Sequence, residues 1–124
     1  MRLRLLDLLA CPSCRHFPLQ LHIFEETVEE VKAPGSPPLC ELYCAYKGGN
    51  VGEVGETPCD ECVKHDIVTG LLACPSCGAW YPIIDSIPRM LPPGHPLRSD
   101  KQYREALERY ADKLPDELKS RVFG

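Results

Sequence analysis

Leucines crowd the start of the chain. Leu3, Leu5, Leu6, Leu8 and Leu9 sit among Arg2, Arg4 and Asp7, and this density predicts a short amphipathic helix running into Cys11. Next, Leu19, Leu21 and Ile23 alternate with Gln20, His22 and Phe24, the period of a half-buried strand. "TVEEVKAP" continues in strand or turn until Pro34, Pro37 and Pro38 interrupt it. The stretch "KGGNVGEVGETP" is rich in glycine and offers little core-forming material. Later, "AWYPIIDSIPRML" reads as two short strands around a turn near Asp85 and Ser86, with Pro82 and Pro88 confining them to edges or bulges.

The C-terminal pattern differs in kind. Tyr103, Ala106, Leu107, Tyr110, Ala111 and Leu114 recur at helical spacing. Ser99 with Gln102 predicts a capping-box start, Glu105 and Arg109 are placed to pair one turn apart, and Pro115 stops the helix or opens a last turn through Val122. Packing of this stripe onto the preceding domain is favoured over a free partner-binding helix, because a small domain needs the buried area.

Composition adds a constraint. The 124 residues suit one domain, but aromatics are only 7% of them, against 13 prolines and nine glycines, so the apolar core is thin. Such a chain calls for a staple besides hydrophobic burial, and its eight cysteines are the candidates. The N-terminal apolar run is too short and too interrupted for a signal peptide, and no stretch is long enough to cross a bilayer; the expected compartment is the reducing cytosol. There, paired cysteines more often hold metal than form disulfides.

The heptapeptide "LLACPSC" occurs twice, at Leu8–Cys14 and Leu71–Cys77. Each C-P-S-C is a metal knuckle, a tight turn that lets two thiolates face one ion, and two knuckles complete a tetrahedron suited to Zn²⁺. Cys11, Cys14, Cys74 and Cys77 are therefore expected to share one zinc, with Gly78 taking the positive φ of a turn exit and each "LLA" delivering its knuckle from a buried element. A redox dithiol would open a helix in a βαβ unit, whereas here strand-like sequence follows each motif.

Cys40, Cys44, Cys59 and Cys62 form a second, weaker constellation, C-x3-C followed by C-x2-C. A second zinc site is preferred, with disulfides or free thiols left open, and His65 is expected to be a solvated surface residue rather than a ligand. Charge narrows function: the net is −4, and residues 25 to 66 hold ten carboxylates against Lys32, Lys47 and Lys64, which disfavours a free-standing nucleic-acid binder. No G-x-G-x-x-G fingerprint or catalytic constellation is present.

"LLDLLACPSC" together with "GLLACPSCGAWYPIIDSIPRMLP" resembles the zinc-ribbon activator subunits of methyltransferases that modify tRNA, rRNA and translation release factors, including short bacterial ribbon proteins. The resemblance covers residues 3 to 24 and 70 to 92 and leaves out the cysteine-bearing insert. It implies an α+β zinc-ribbon domain with short antiparallel strands, formed by residues 1–24 and 67–94. Residues 25–66 are then an insertion and 95–124 a C-terminal helical extension. It further implies that Cys11, Cys14, Cys74 and Cys77 are the metal positions, and that Ile87, Pro88, Arg89, Met90 and Leu91 dock a Rossmann-like methyltransferase using S-adenosylmethionine, as a heterodimer with one of several alternative partners. The protein would have no catalysis of its own, would meet RNA only through its partner, and would work by strand addition at a sheet edge. The alternative is a ribbon that binds nucleic acid or the transcription machinery directly.

Overall fold

The computed structural model describes residues 1–31, 40–55 and 58–123. In chain order, a 3-10 helix (Leu3–Leu8) precedes β1 (Gln20–Val28), a small hairpin of β2 (Tyr43–Cys44) and β3 (Gly49–Asn50), and the single-turn helices α1 (Val51–Val54) and α2 (Cys59–Cys62). After these come β4 (His65–Ala73), β5 (Trp80–Ile84), β6 (Ile87–Pro88), α3 (Asp100–Leu107), a second 3-10 segment (Glu108–Lys113) and α4 (Asp116–Phe123). The main sheet is antiparallel in the order β1-β4-β5-β6. As the sequence predicts, β5 and β6 meet at Asp85 and Ser86, whose φ angles of 52° and 66° are those of a primed hairpin turn.

β4 explains why "GLLA" lacks alternation: both faces of the sheet are covered. On one face Leu72, Tyr81 and Ile83 pack with Leu3, Leu6 and Leu19, and on the other Leu71, Ala73 and Trp80 pack with Phe24, Tyr103, Leu107 and Val122. Gly70 sits where β1 crosses closely, since a Cβ there would stand 2.6 Å from the His22 carbonyl oxygen.

Three local expectations are corrected. The leading leucines form a 3-10 helix, and its end differs from the strand that carries the second copy of the heptapeptide. Leu71 is fully buried while Leu8 is 77% exposed, so only the second "LLA" delivers its knuckle from a buried element. In β1, Ile23 pairs with Gly70 and Glu25 with Thr69, leaving Phe24 as the extra residue of a bulge. The bulge turns Phe24 into the core and Ile23 outward, breaking the simple alternation. Thereafter β1 continues to Val28 against His65, in keeping with the expected continuation of the strand into "TVEEVKAP".

The C-terminal stripe packs onto the sheet as expected, with Tyr103, Leu107 and Leu114 buried. It is not one helix: α3 gives way to 3-10 geometry at Glu108, which brings Tyr110 to stack on Phe24 with ring centroids 5.3 Å apart. Ser99 stands at the N-cap, but its side chain makes no cap bond; its carbonyl oxygen accepts from the Tyr103 N–H instead. Among the described residues Arg109 does not pair with Glu105; its guanidinium lies 5.3 Å from the centre of the Tyr110 ring.

Candidate metal centre

The two copies of C-P-S-C fold into matching turns. In the first, the Cys11 N–H donates to the His16 carbonyl and the Arg15 N–H to the Cys11 carbonyl, with Arg15 at φ 66°. In the second, the Cys74 N–H donates to the Ala79 carbonyl and the Gly78 N–H to the Cys74 carbonyl, with Gly78 at φ 79° as expected. The left-handed residue folds the chain back on itself, so both sulfurs of a knuckle face the same point.

The sheet brings the two turns together across at least 60 residues of chain. The four Sγ atoms lie within 4.8 Å of one another, with Cys11 3.6 Å from Cys77 and Cys14 3.4 Å from Cys74. A tetrahedral Zn²⁺ with bonds of about 2.3 Å sets its sulfurs about 3.8 Å apart, so the donor set and its spacing fit this ion. Cys11 and Cys74 are buried, whereas Cys14 and Cys77 face solvent. Filled by an ion, four protein sulfurs would leave no position for substrate, so such a site would be structural rather than catalytic.

Electrostatics fit the same ion. Burial opposes ionisation of Cys11, but the Tyr81 hydroxyl, the N–H groups of Cys14 and Ser13, and Cys77 outweigh it and bring its pKa down to about 6. The Ala79 N–H favours a thiolate at Cys77, yet desolvation and the three neighbouring sulfurs push it up to about 12. Four thiolates this close would repel, and a divalent cation would supply the missing positive charge.

Sequence reasoning missed three supporting residues. The Tyr81 hydroxyl lies 3.2 Å from both Cys11 Sγ and Ser13 Oγ, bridging the second half of the chain to the first knuckle. Arg121, from α4, lies against Gly78 and pairs with Glu117 at 2.8 Å. Arg98 is almost wholly buried over the Trp80 ring and donates to the carbonyls of Leu91 and Trp80, fixing the chain after β6 against the sheet. The aromatic pair that follows the second knuckle was the available signal for Tyr81 and Arg98; nothing local marks Arg121.

The other sequence-predicted positions are distributed as follows. Among the described residues, no group besides Cys11, Cys14, Cys74 and Cys77 gathers its ligand atoms in this way, and no disulfide is present. Cys40, Cys44, Cys59 and Cys62 are nonetheless neighbours: burial first, and then Cys44, Cys40 and Cys59, push the Cys62 thiol up to about 12. His65 is not a candidate ligand there, since its Nδ1 lies 3.4 Å from Glu26 and its ring packs against Tyr46. Ile87 and Pro88 form β6 at the sheet edge, and Arg89, Met90 and Leu91 follow it. These five line a groove of about 560 Å³ with Ile84, Leu97 and Tyr103, in which Ile87 and Leu97 are exposed.

Fold and site together define a zinc-ribbon-type protein with a closed four-cysteine centre and covering helices. A family model described as "Trm112p-like protein" matches residues 2–86, more than half of the chain, and the chain belongs to that family, whose members are regulatory subunits that activate methyltransferases. No curated protein and no solved structure matches it. The match runs through the cysteine-bearing insert and ends before β6.

Proposed function

We propose that this chain is a non-catalytic activating and stabilising subunit of S-adenosylmethionine-dependent methyltransferases that modify tRNA, rRNA or translation factors. It works in the cytosol with Zn²⁺ at Cys11, Cys14, Cys74 and Cys77, and it forms heterodimers with alternative Rossmann-like enzymes. RNA is met through the enzyme, in keeping with the net charge of −4.

The observation that carries the docking mode is the edge at β6. Its inner side pairs with β5, and the apolar groove of Ile87, Met90, Leu91 and Leu97 opens beside it. A partner strand laid along this edge gains main-chain hydrogen bonds while the groove covers apolar surface of the enzyme. Arg89 also lines the groove and brings a guanidinium to it, a donor for acceptors of a partner. Met90 suits a surface that serves several enzymes, being unbranched and adaptable.

Affinity purification of the tagged chain tests this reading. Recovery of S-adenosylmethionine-dependent methyltransferases whose solubility and activity depend on co-expression is the expected result. Salt-sensitive binding of RNA or DNA by the isolated chain, without any methyltransferase, overturns it in favour of a nucleic-acid ribbon.

A further inference from the structure

We infer that Cys40, Cys44, Cys59 and Cys62 form a second structural Zn²⁺ site, built inside the insert and closed by the ion itself. The inference does not depend on the proposed function.

The first ground is what this segment buries. Among the described residues from 40 to 64, the buried side chains are Cys44, Cys59, Cys62 and Val63. The remaining side chains, including Leu42 and Tyr46, are exposed or only half-buried. Three thiols and one valine, with the half-buried Tyr43 and Ala45 packed on the ribbon core, bury too little apolar area to hold more than 20 residues by hydrophobic effect alone, whereas a metal does so readily.

The second ground is a backbone turn that sequence spacing conceals. The Gly48 N–H donates to the Cys44 carbonyl at 2.8 Å, Gly48 has φ 73°, and Cys44 pairs with Gly49. The same bond, four residues back, and the same left-handed fourth residue occur at Cys11 with Arg15 and at Cys74 with Gly78. Cys44 thus occupies the first-cysteine position of a third knuckle, where Lys47 replaces the second cysteine and Cys40 supplies the sulfur from the other side.

The third ground is the placement of the other pair. Cys59 and Cys62 bound the single turn α2, so their side chains share one face of it. Cys62 also packs into the ribbon core, and on the opposite side the Asp7 carboxylate accepts N–H groups from Glu41, Leu42 and Tyr43 at 2.7 to 2.9 Å. Both halves of the proposed site are therefore tied to the ribbon, one through the Cys62 side chain in its core and the other through backbone N–H groups held by Asp7. The four sulfurs are not gathered as those of the ribbon site are, so binding would draw them together and release the thiol protons to solvent, as metal sites coupled to folding do.

Zinc content of the full chain decides the matter. Two Zn²⁺ per chain by native mass spectrometry are expected, falling to one in the double variant Cys59→Ser, Cys62→Ser while the ribbon zinc remains. Should that variant fail to fold, chelator titration of the wild type serves, with two equivalents of zinc released expected. One zinc with four alkylatable thiols, or one zinc with a mass four hydrogens lower from two disulfides, overturns the inference. Two zinc ions retained in the double variant overturn this ligand set.

Discussion

The hydroxyl of Tyr81 stands 3.2 Å from the sulfur of Cys11, although the two residues lie 70 positions apart. Tyr81 is fully buried in β5 and also reaches Ser13, so one phenol from the second half of the ribbon orients the knuckle of the first. Hydrogen bonds to a ligand sulfur set its orientation and basicity. Tyr81→Phe is expected to leave the fold intact and to weaken zinc binding about 10- to 100-fold, read by competition with a chromogenic chelator. Unchanged zinc affinity would remove Tyr81 from the site.

The two copies of the heptapeptide give a paired test. Leu71 is fully buried and Leu8 is 77% exposed. Leu71→Ala should cost about 2 to 5 kcal/mol, as large-to-small changes in closed cores do. Leu8→Ala should change stability by less than about 0.5 kcal/mol. Denaturant melts of the zinc-loaded variants compare them, and equal losses would contradict the different settings of the two copies.

Asp7 should give a pH signature. Its burial works to raise the pKa, but the N–H groups of Glu41, Tyr43 and Leu42 together hold it below the usual carboxylate value. Because the folded pKa is depressed, the stabilisation is present above the unfolded value of about 3.9 and is lost as pH falls through the folded pKa. Asp7→Asn removes the charge and, where Glu41 donates to Oδ2, can turn an amide toward an N–H; it should cost about 1 to 3 kcal/mol near pH 7. The difference in melting temperature between wild type and variant should shrink below about pH 4. A difference that stays constant through that range would assign the stabilisation to something other than the Asp7 charge.

Met90 probes the docking edge. It lines the groove beside β6 and is half-buried, with one side packed on the ribbon core. Met90→Asp places an unpaired charge in the contact and should weaken association by about 2 to 5 kcal/mol. The variant alone should keep its zinc, while co-expression should yield insoluble or inactive methyltransferase. Unfolding of the free variant would place Met90 in the core, and normal activation would move the docking surface elsewhere.

Much of this molecule was legible locally. A knuckle needs only two cysteines, a turn and one left-handed residue, all within a few positions, and both copies of C-P-S-C form it. The hairpin at Asp85 and Ser86 and the buried stripe from Tyr103 to Leu114 are local in the same sense, set by turn chemistry and by periodicity. What precedes each knuckle was not legible: "LLA" ends a 3-10 helix in one copy and fills the central strand in the other. Three residues carry no preference strong enough to choose between these states, so the choice falls to neighbours distant in sequence, with β1 and β5 enclosing the second copy while Leu8 stays 77% exposed. The bulge at Phe24, the switch to 3-10 geometry at Glu108 and the contacts of Tyr81, Arg98 and Arg121 arise in the same way. Sequence by itself determined the candidate ligands and the turns that present them, because those energies act over a few bonds; tertiary structure decided which sulfurs meet and which leucine is buried, because those energies exist only once distant strands have packed.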